Sequence, residues 1–245
     1  MIGLGTIVNC VAVAIGCLIG LVIKKGLSAR FEDILMKALG LSTMFIGAAG
    51  TLGGIISVEN GKFDMSLSSI MLMIISLVIG SVVGEAVRIE DRLDTLGEKI
   101  KKRVKGGENN SRFVEGFVTN TVLICVGAMA IVGSLNDGLT GDASTLYVKS
   151  TLDFVSAIVL TSTLGIGTIF AVLPMGIYQG AITVVARFIE PYLPEVLISD
   201  IDYIGSVLIF AIGINLAFGK KFKTGNMLPA ILVPVVWRLL LQNFF

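Results

Sequence analysis

Two amides in apolar surroundings are the side chains of this sequence best placed to do chemistry. Asn9 sits in GTIVNCVAVAIG, Gly5 to Gly16, and Asn120 in GFVTNTVLICVG, Gly116 to Gly127; both keep Gly, three residues, Asn, six residues, Gly. An amide in hydrocarbon needs a hydrogen-bond partner or a polar cavity, because leaving it bare is costly. Gln179 and Asn215 make the same demand. For Asn215 alone, hydrogen bonding between helices is the plainer reading. Asn9 and Asn120 differ, because a shared frame implies related positions, and two related amides facing one another would line a path for an ion or small solute. Two carboxylates join them as functional candidates: Asp153, about one turn into an apolar run, and Glu85, near the end of another.

A second kind of site is made of backbone. GAAGTLGGI, with Thr51 and Gly53, and TSTLGIGTI, with Thr163 and Gly165, place glycine and threonine where an uninterrupted helix prefers Leu or Ala. Read as helix breaks, they expose carbonyls that coordinate cations and helix N-termini that favour anions, so they do not fix the sign of the ion. Read as packing, they let neighbouring helices approach closely.

Other chemistries lack their residues. The sequence has no histidine, no H-E-x-x-H, no G-x-S-x-G and no G-x-x-x-x-G-K-[ST] loop. An enzyme is therefore not expected, nor is a cofactor or a transition-metal site, and any active transport would be driven by an ion gradient. Cys10, Cys17 and Cys125 all lie inside apolar runs and read as small apolar filler.

The elements that must position these residues are membrane helices. With 54% apolar and 15% charged residues and a mean hydropathy of +0.90, the composition is that of a polytopic membrane protein whose first partner is the lipid bilayer. Apolar runs predict eight spans: Ile2–Ile23, Ala38–Ser57, Ser66–Val87, Phe113–Ser134, Ser150–Val172, Met175–Ile189, Tyr203–Phe218 and Met227–Phe244. As one helix, Ser150 to Ile189 would be about 60 Å long, roughly twice the hydrocarbon thickness, so it must fold back, with Gly165, Gly167 and Pro174 as places to do so. The run from Met1 to Ile23 lacks a basic leader region and reads as the first helix.

Charge supports that arrangement. Fifteen of the nineteen Lys and Arg fall on one side of the eight spans and only Lys62, Lys149, Arg187 and Arg238 on the other. The positive-inside rule then puts both termini outside the cytoplasm and residues 88–112 within it, in a bacterial inner membrane. Leu93, Leu96, Ile100 and Val104 predict a short amphipathic helix in that segment, followed by a Gly-Gly linker. The near-neutral balance gives no sign of nucleic-acid binding.

The Asn frame repeats at an offset of 111 residues, and a second frame, Lys37 with Thr51-Leu52-Gly53 against Lys149 with Thr163-Leu164-Gly165, repeats at 112. The first helix runs inward and the fourth outward, so a duplication would be inverted. The expected organisation is all-α: residues 1–88 as one three-helix repeat, 89–112 as the cytoplasmic segment, 113–190 as the inverted repeat and 191–245 as two added helices. Small-xxx-small pairs Gly16/Gly20, Gly80/Gly84 and Gly176/Gly180 are expected packing faces and make a homodimer an expected assembly.

The stretches RFVEGFVTNTVLICVGAMAIVGSLNDGLTGD, KSTLDFVSA, YQGAIT, DYIGSVLIFAIGINL and NMLPAIL resemble, over essentially the whole chain, the DUF554 (YdfK/YqgA-like) family of bacterial membrane proteins. The resemblance implies a sodium channel or pump and names no catalytic residue. The expected function is a channel or secondary transporter for a small inorganic ion or solute, with its site between the two repeats. The alternative is a non-transporting scaffold or sensor held together by polar and small-residue packing.

Overall fold

The computed structural model describes residues 1–24, 28–59, 62–104, 110–125, 128–189 and 194–244. Gly127 of the second Asn frame and the expected linker at 105–109 lie outside the described residues. The described residues are helical apart from one hairpin and short connections: α1 (Leu4–Lys24), α2 (Ala29–Ile55), β1 (Ile56–Glu59), β2 (Lys62–Met65), α3 (Leu67–Val87), α4 (Ile89–Val104), α5 (Asn110–Cys125), α6 (Ala128–Thr140), α7 (Ser144–Leu164), α8 (Val172–Ile189), α9 (Glu195–Phe218), α10 (Thr224–Met227) and α11 (Val233–Phe244). β1 and β2 pair antiparallel, Ile56 opposite Met65, where a loop is expected. Tight 3-10 turns at Ile166–Ala171 and Leu228–Leu232 precede α8 and α11.

Among the described residues, five stretches are long and apolar enough to cross a bilayer: Leu4–Lys24, Ala29–Ile55, Leu67–Val87, Ile166–Ala186 and Glu195–Phe218. A sixth counts if α5 and α6, bent by 60° at their junction, are one broken span, whereas the sequence predicts a single helix from Phe113 to Ser134. α7 falls short of the eight on composition, because Lys149, Asp153 and a series of Ser and Thr interrupt its apolar residues. α11 falls short on length.

Of the two expected breaks, one forms and one does not. The fold-back after α7 falls at Gly165, one of the three places the sequence offers, whose φ of 88° and ψ of −160° suit only glycine; the helix thus ends earlier than the expected span limit at Val172. The GAAGTLGGI stretch does not unwind: α2 is continuous to Ile55, and Thr51 Oγ1 donates back to the Gly47 carbonyl at 2.8 Å. A threonine satisfied by its own preceding turn gives the helix no reason to open. α4 forms as expected, with Gly97 against Val114 and Phe117 of α5.

The chain divides into two compact units, each discontinuous in sequence. The first holds residues up to Leu39 and from Asp91 to Tyr192; the second holds Gly40–Glu90 and Leu193–Phe245. Duplication concerns descent and not contact, so this grouping does not speak to a three-plus-three repeat.

In the first unit α1 and α7 lie side by side in the same direction, since Gly5 meets Leu146, Gly16 meets Phe154 and Ala157, and Gly20 meets Ile158 and Thr161. A Cβ on Gly16 or Gly20 would stand 2.6 Å from the carbonyl oxygen of Phe154 or Ile158, so only glycine permits this approach. α1 buries Thr6, Asn9, Val13 and Cys17 on that side and exposes Ile7, Val11, Ile15, Leu18 and Val22 on the other. A helix with its polar residue inside and a row of aliphatic residues outside inverts the pattern of a water-soluble protein and suits a lipid surround.

The second unit is knitted the same way. Gly40, Gly47 and Gly54 of α2 lie against Ala217, Phe210 and Tyr203 of α9, which runs antiparallel to it. Gly80 and Gly84 of α3 admit the backbone of Ala230 and Asn226. On α8 only Gly176 is approached, by Cys10 Sγ; Gly180 faces open space.

Candidate functional site

The first unit holds a fully buried polar cluster where α1 meets α7 and α8. Asn9 Nδ2 donates to Asp153 Oδ2 at 3.0 Å and lies 3.3 Å from Gln179 Oε1 and 3.4 Å from Met175 Sδ. One turn before Asp153 on α7, Lys149 Nζ donates to both carboxylate oxygens, at 2.9 and 2.7 Å. Both side chains of the ion pair are less than a tenth exposed, and Asn9 and Gln179 are fully buried. The sequence builds this locally: the i,i+4 spacing stacks Lys149 over Asp153, and the glycine-lined contact between α1 and α7 carries Asn9 within reach of both.

The cluster's hydrogen bonding is incomplete. Asn9 Oδ1 and Gln179 Nε2 are buried and have no partner among the described residues. Asn9 turns its N–H to the carboxylate, which leaves its Oδ1 as an unused buried acceptor.

Asn120 belongs to a different set. Its Nδ2 donates to the Thr168 carbonyl at 3.0 Å, on the 3-10 turn that follows Gly165. Thr168 Oγ1 and Thr161 Oγ1 share a hydrogen bond of 2.6 Å, and Thr168 also reaches the Gly165 carbonyl and Cys17 Sγ. Asn120 Oδ1 and Thr121 Oγ1 are buried without partners among the described residues. Asn9 and Cys17 are eight residues apart on α1, so the two sets are separated by about 12 Å along the helices. Val13, Ile124, Ala157, Ala171 and Met175 fill the interval. The expected facing of Asn9 and Asn120 is therefore not met; each amide occupies its own polar layer of one unit.

The remaining expected residues disperse. Thr163 donates to the Val159 and Leu160 carbonyls and to Met36 Sδ, away from Asn9. Thr51 and Gly53 belong to the second unit, where a Cβ on Gly53 would meet nothing among the described residues. Glu85 is exposed and holds Lys223 and Asn226. Asn215 binds the backbone of Lys221 and Phe222, shaping the turn after α9.

Several residues escaped the sequence reading. Lys149 is legible only as a charge at a span's edge, although its spacing from Asp153 signals the pair. Asp137, which follows the expected fourth span, is fully buried on α6 and accepts from the backbone N–H of Gly3 and Gly5, both at 3.1 Å. It caps α1 from another helix, which no local pattern reveals. In the second unit Glu90 is bound by Lys220 and by the Gly225 N–H, Asn226 accepts from the Glu90 N–H, and Arg238 grips Asp200 at 2.7 Å.

The family model described as protein of unknown function (DUF554) matches residues 4–239. A relative from Bacillus subtilis (strain 168), "Uncharacterized membrane protein YdfK", is 34% identical over 232 residues, covering 95% of this chain and 94% of its own. Another from Escherichia coli (strain K12), "Uncharacterized protein YqgA", is 27% identical over 233 residues, covering 94% of each. No solved structure matches.

Proposed function

Because this chain belongs to the DUF554 family and is a membrane protein built of apolar helices, we propose that it carries a small inorganic cation across the bilayer, with Asp153, Asn9 and Gln179 as the seat. The observation that supports this most is the buried Lys149–Asp153 pair beside an amide oxygen that has no partner among the described residues. A charge pair inside a span is costly to build and is more often part of an ion pathway than of plain packing. Sodium is the leading cation on family resemblance, as the sequence reading expects. Asn120, Thr168 and Thr161 form a second polar layer along the same path. Thr163, Gly165, Thr51 and Gly53 keep only a supporting place, Gly165 through the break it imposes.

The fuller architecture is part of this proposal: eight crossings with a three-plus-three inverted repeat, termini outside the cytoplasm and residues 88–112 inside, in a bacterial inner membrane. With that division, the hydrogen bonds from Asn9 to Asp153 and Gln179 run from the first repeat to the second. A homodimer belongs to the proposal as well. Gly16, Gly20, Gly80 and Gly84 are used within the chain, so a dimer would need another face, and crosslinking in native membranes that finds only monomer would refute it. The protein is proposed to be no enzyme.

The scaffold reading draws on the glycine-lined contacts, which need no transported ion. Purified protein in liposomes separates the two. Cation flux that Asn9→Ala and Asp153→Asn each abolish, and that Asn120→Ala reduces, supports transport. A flux absent across a panel of alkali cations supports the scaffold.

A further inference from the structure

Five side-chain atoms along one seam of the first unit are buried without a partner among the described residues: Thr6 Oγ1 and Asn9 Oδ1 on α1, Ser134 Oγ on α6, and Gln179 Nε2 and Thr183 Oγ1 on α8. All five residues are more than nine-tenths buried. Helical register brings them to one place. Thr6 stands one turn before Asn9 on the buried side of α1, and Asn9 Nδ2 faces Gln179 Oε1 at 3.3 Å. On α8 the buried stripe runs through Met175, Gln179, Thr183 and Ala186. Ser134 stands one turn before both Asp137, which holds the N–H groups of Gly3 and Gly5, and Gly138, where a Cβ would collide with the Thr183 carbonyl. Ser134 therefore shares its face with the contacts that α6 makes to α1 and to α8. Because Thr183 is level with Gly138 and Asp137, it lies on the same side of the Asn9–Gln179 contact as Thr6, towards the end where α1 begins.

Hydroxyls inside helices ordinarily bond a carbonyl one turn back, as Ser150 and Thr163 do here. Thr6, Ser134 and Thr183 make no such bond. The two amides are fixed as well: Asn9 gives its N–H to Asp153, which leaves Oδ1 as an acceptor, and Gln179 turns Oε1 to Asn9, which leaves Nε2 as a donor. One acceptor, one donor and three hydroxyls that serve as either are satisfied together by a small molecule that both donates and accepts. Water does this, and a buried water takes about two to four polar partners. From the level of Gly5 to that of Asn9 the seam is about 6 Å long, enough for about two waters in line. On the far side of the cluster Val13, Ile124, Ala157 and Ala171 form an apolar layer.

We propose that Thr6, Ser134 and Thr183 wall a water file that leads from the end of the unit where α1 begins to Asn9 and Gln179, and that a cation enters and leaves the cluster along it. The route rests on the cation-transport reading; the hydration of the seam does not. Water and hydroxyl oxygens keep the ion partly solvated along the file, and the apolar layer stops it from running on.

Hydration is tested on the wild-type protein in detergent by synchrotron radiolysis, which turns bound water into hydroxyl radical where it sits. Met175 has its sulfur 3.4 Å from Asn9 Nδ2 and no exposed surface. It should be oxidised to the sulfoxide in proportion to dose, whereas Phe117, equally buried, should stay unmodified. The route is tested with Thr6→Cys, Ser134→Cys and Thr183→Cys, each in a variant lacking Cys10, Cys17 and Cys125. Silver ion, a bare monovalent cation that takes the place of the thiol proton, should bind all three and abolish sodium uptake into liposomes. Ala157→Cys, in the apolar layer, should bind none, and uptake before silver is added reports that each variant is intact. An unmodified Met175 overturns the water file and leaves cation transport standing. A modified Met175 with uptake unchanged by silver in all three variants overturns the route alone. Absence of alkali-cation flux in wild-type protein overturns the transport reading and the route with it, and Met175 then decides the water file.

Discussion

At the scale of single residues, the energetics of the polar cluster make a prediction independent of transport. Removing one partner of a buried ion pair strands the other, and that costs roughly 3–5 kcal/mol, whereas replacing both by apolar residues is often close to neutral. Asp153→Leu alone should therefore lower the unfolding midpoint in detergent far more than Asp153→Leu with Lys149→Met. A double variant no more stable than the single one would mean that the pair does not act as a unit. Outside the spans, Asp142 accepts from the backbone N–H of Ser144 at 2.9 Å, and these Ser144 hydrogen bonds hold its carboxyl below the usual carboxylate range. A depressed native value means that the contribution is present above the ordinary carboxylate pKa and is lost as pH falls through the native one. Amide protection factors in the first turn of α7, corrected for the intrinsic pH dependence of exchange, should fall on acidification through that window, and Asp142→Asn should flatten the dependence. Asn9, Asp153 and Gln179 are visible in the sequence because polar groups stand out in apolar runs. Lys149 and Asp137 are not, because each lies where an apolar run fades and a loop is the natural expectation.

Elements tell a similar story about what spacing can reveal. The contact between α1 and α7 depends on Gly16 and Gly20, where a side chain would meet backbone that cannot yield. Gly16→Val should destabilise the protein by roughly 1–3 kcal/mol through overpacking. Because the same contact delivers Asn9 to Asp153, transport should fall with it, read by the liposome assay beside the unfolding curve. Gly180→Val, facing open space on α8, is the control and should change neither. The small-xxx-small rule finds Gly16/Gly20 and Gly80/Gly84 but also offers Gly176/Gly180, since spacing says which residues share a face and not whether a neighbour sits there. Breaks are harder still. Thr51-Leu52-Gly53 and Thr163-Leu164-Gly165 look alike in sequence, yet the first stays helical and the second ends its helix. After the first the chain turns back only at the β1–β2 hairpin beyond Ile55, whereas after the second it turns at the glycine itself, and the 3-10 turn there stacks on α5 through Gly167 and Phe113. That difference is tertiary and leaves no local mark.

For the whole molecule, the parallel course of α1 and α7 bears on how many times the chain crosses the bilayer. α7 lacks the apolar composition of a span, but it lies beside α1 from Gly5 and Leu146 to Gly20 and Thr161. Two parallel helices in contact over that length occupy the same depth, which supports the proposed crossing by α7. Its polar residues are tolerated because they are turned inward: Lys149, Ser150, Asp153, Thr161 and Ser162 are all buried, while Val148, Leu152 and Val155 are exposed to the surroundings. Hydropathy averages over both faces and so undercounts such a helix. Counting α7, with α5 and α6 as one broken crossing and α10 and α11 as another, returns the proposed eight. It also places the starts of α1 and α7 on one side and α4 on the other. Single cysteines introduced into a variant lacking Cys10, Cys17 and Cys125 test this in intact cells. A cysteine at Ile2 or Thr145 should react with an impermeant maleimide added outside, and one at Lys99 only after permeabilisation. Equal protection at Thr145 and Lys99 would put the start of α7 on the cytoplasmic side, and the eight-crossing arrangement would fall with it.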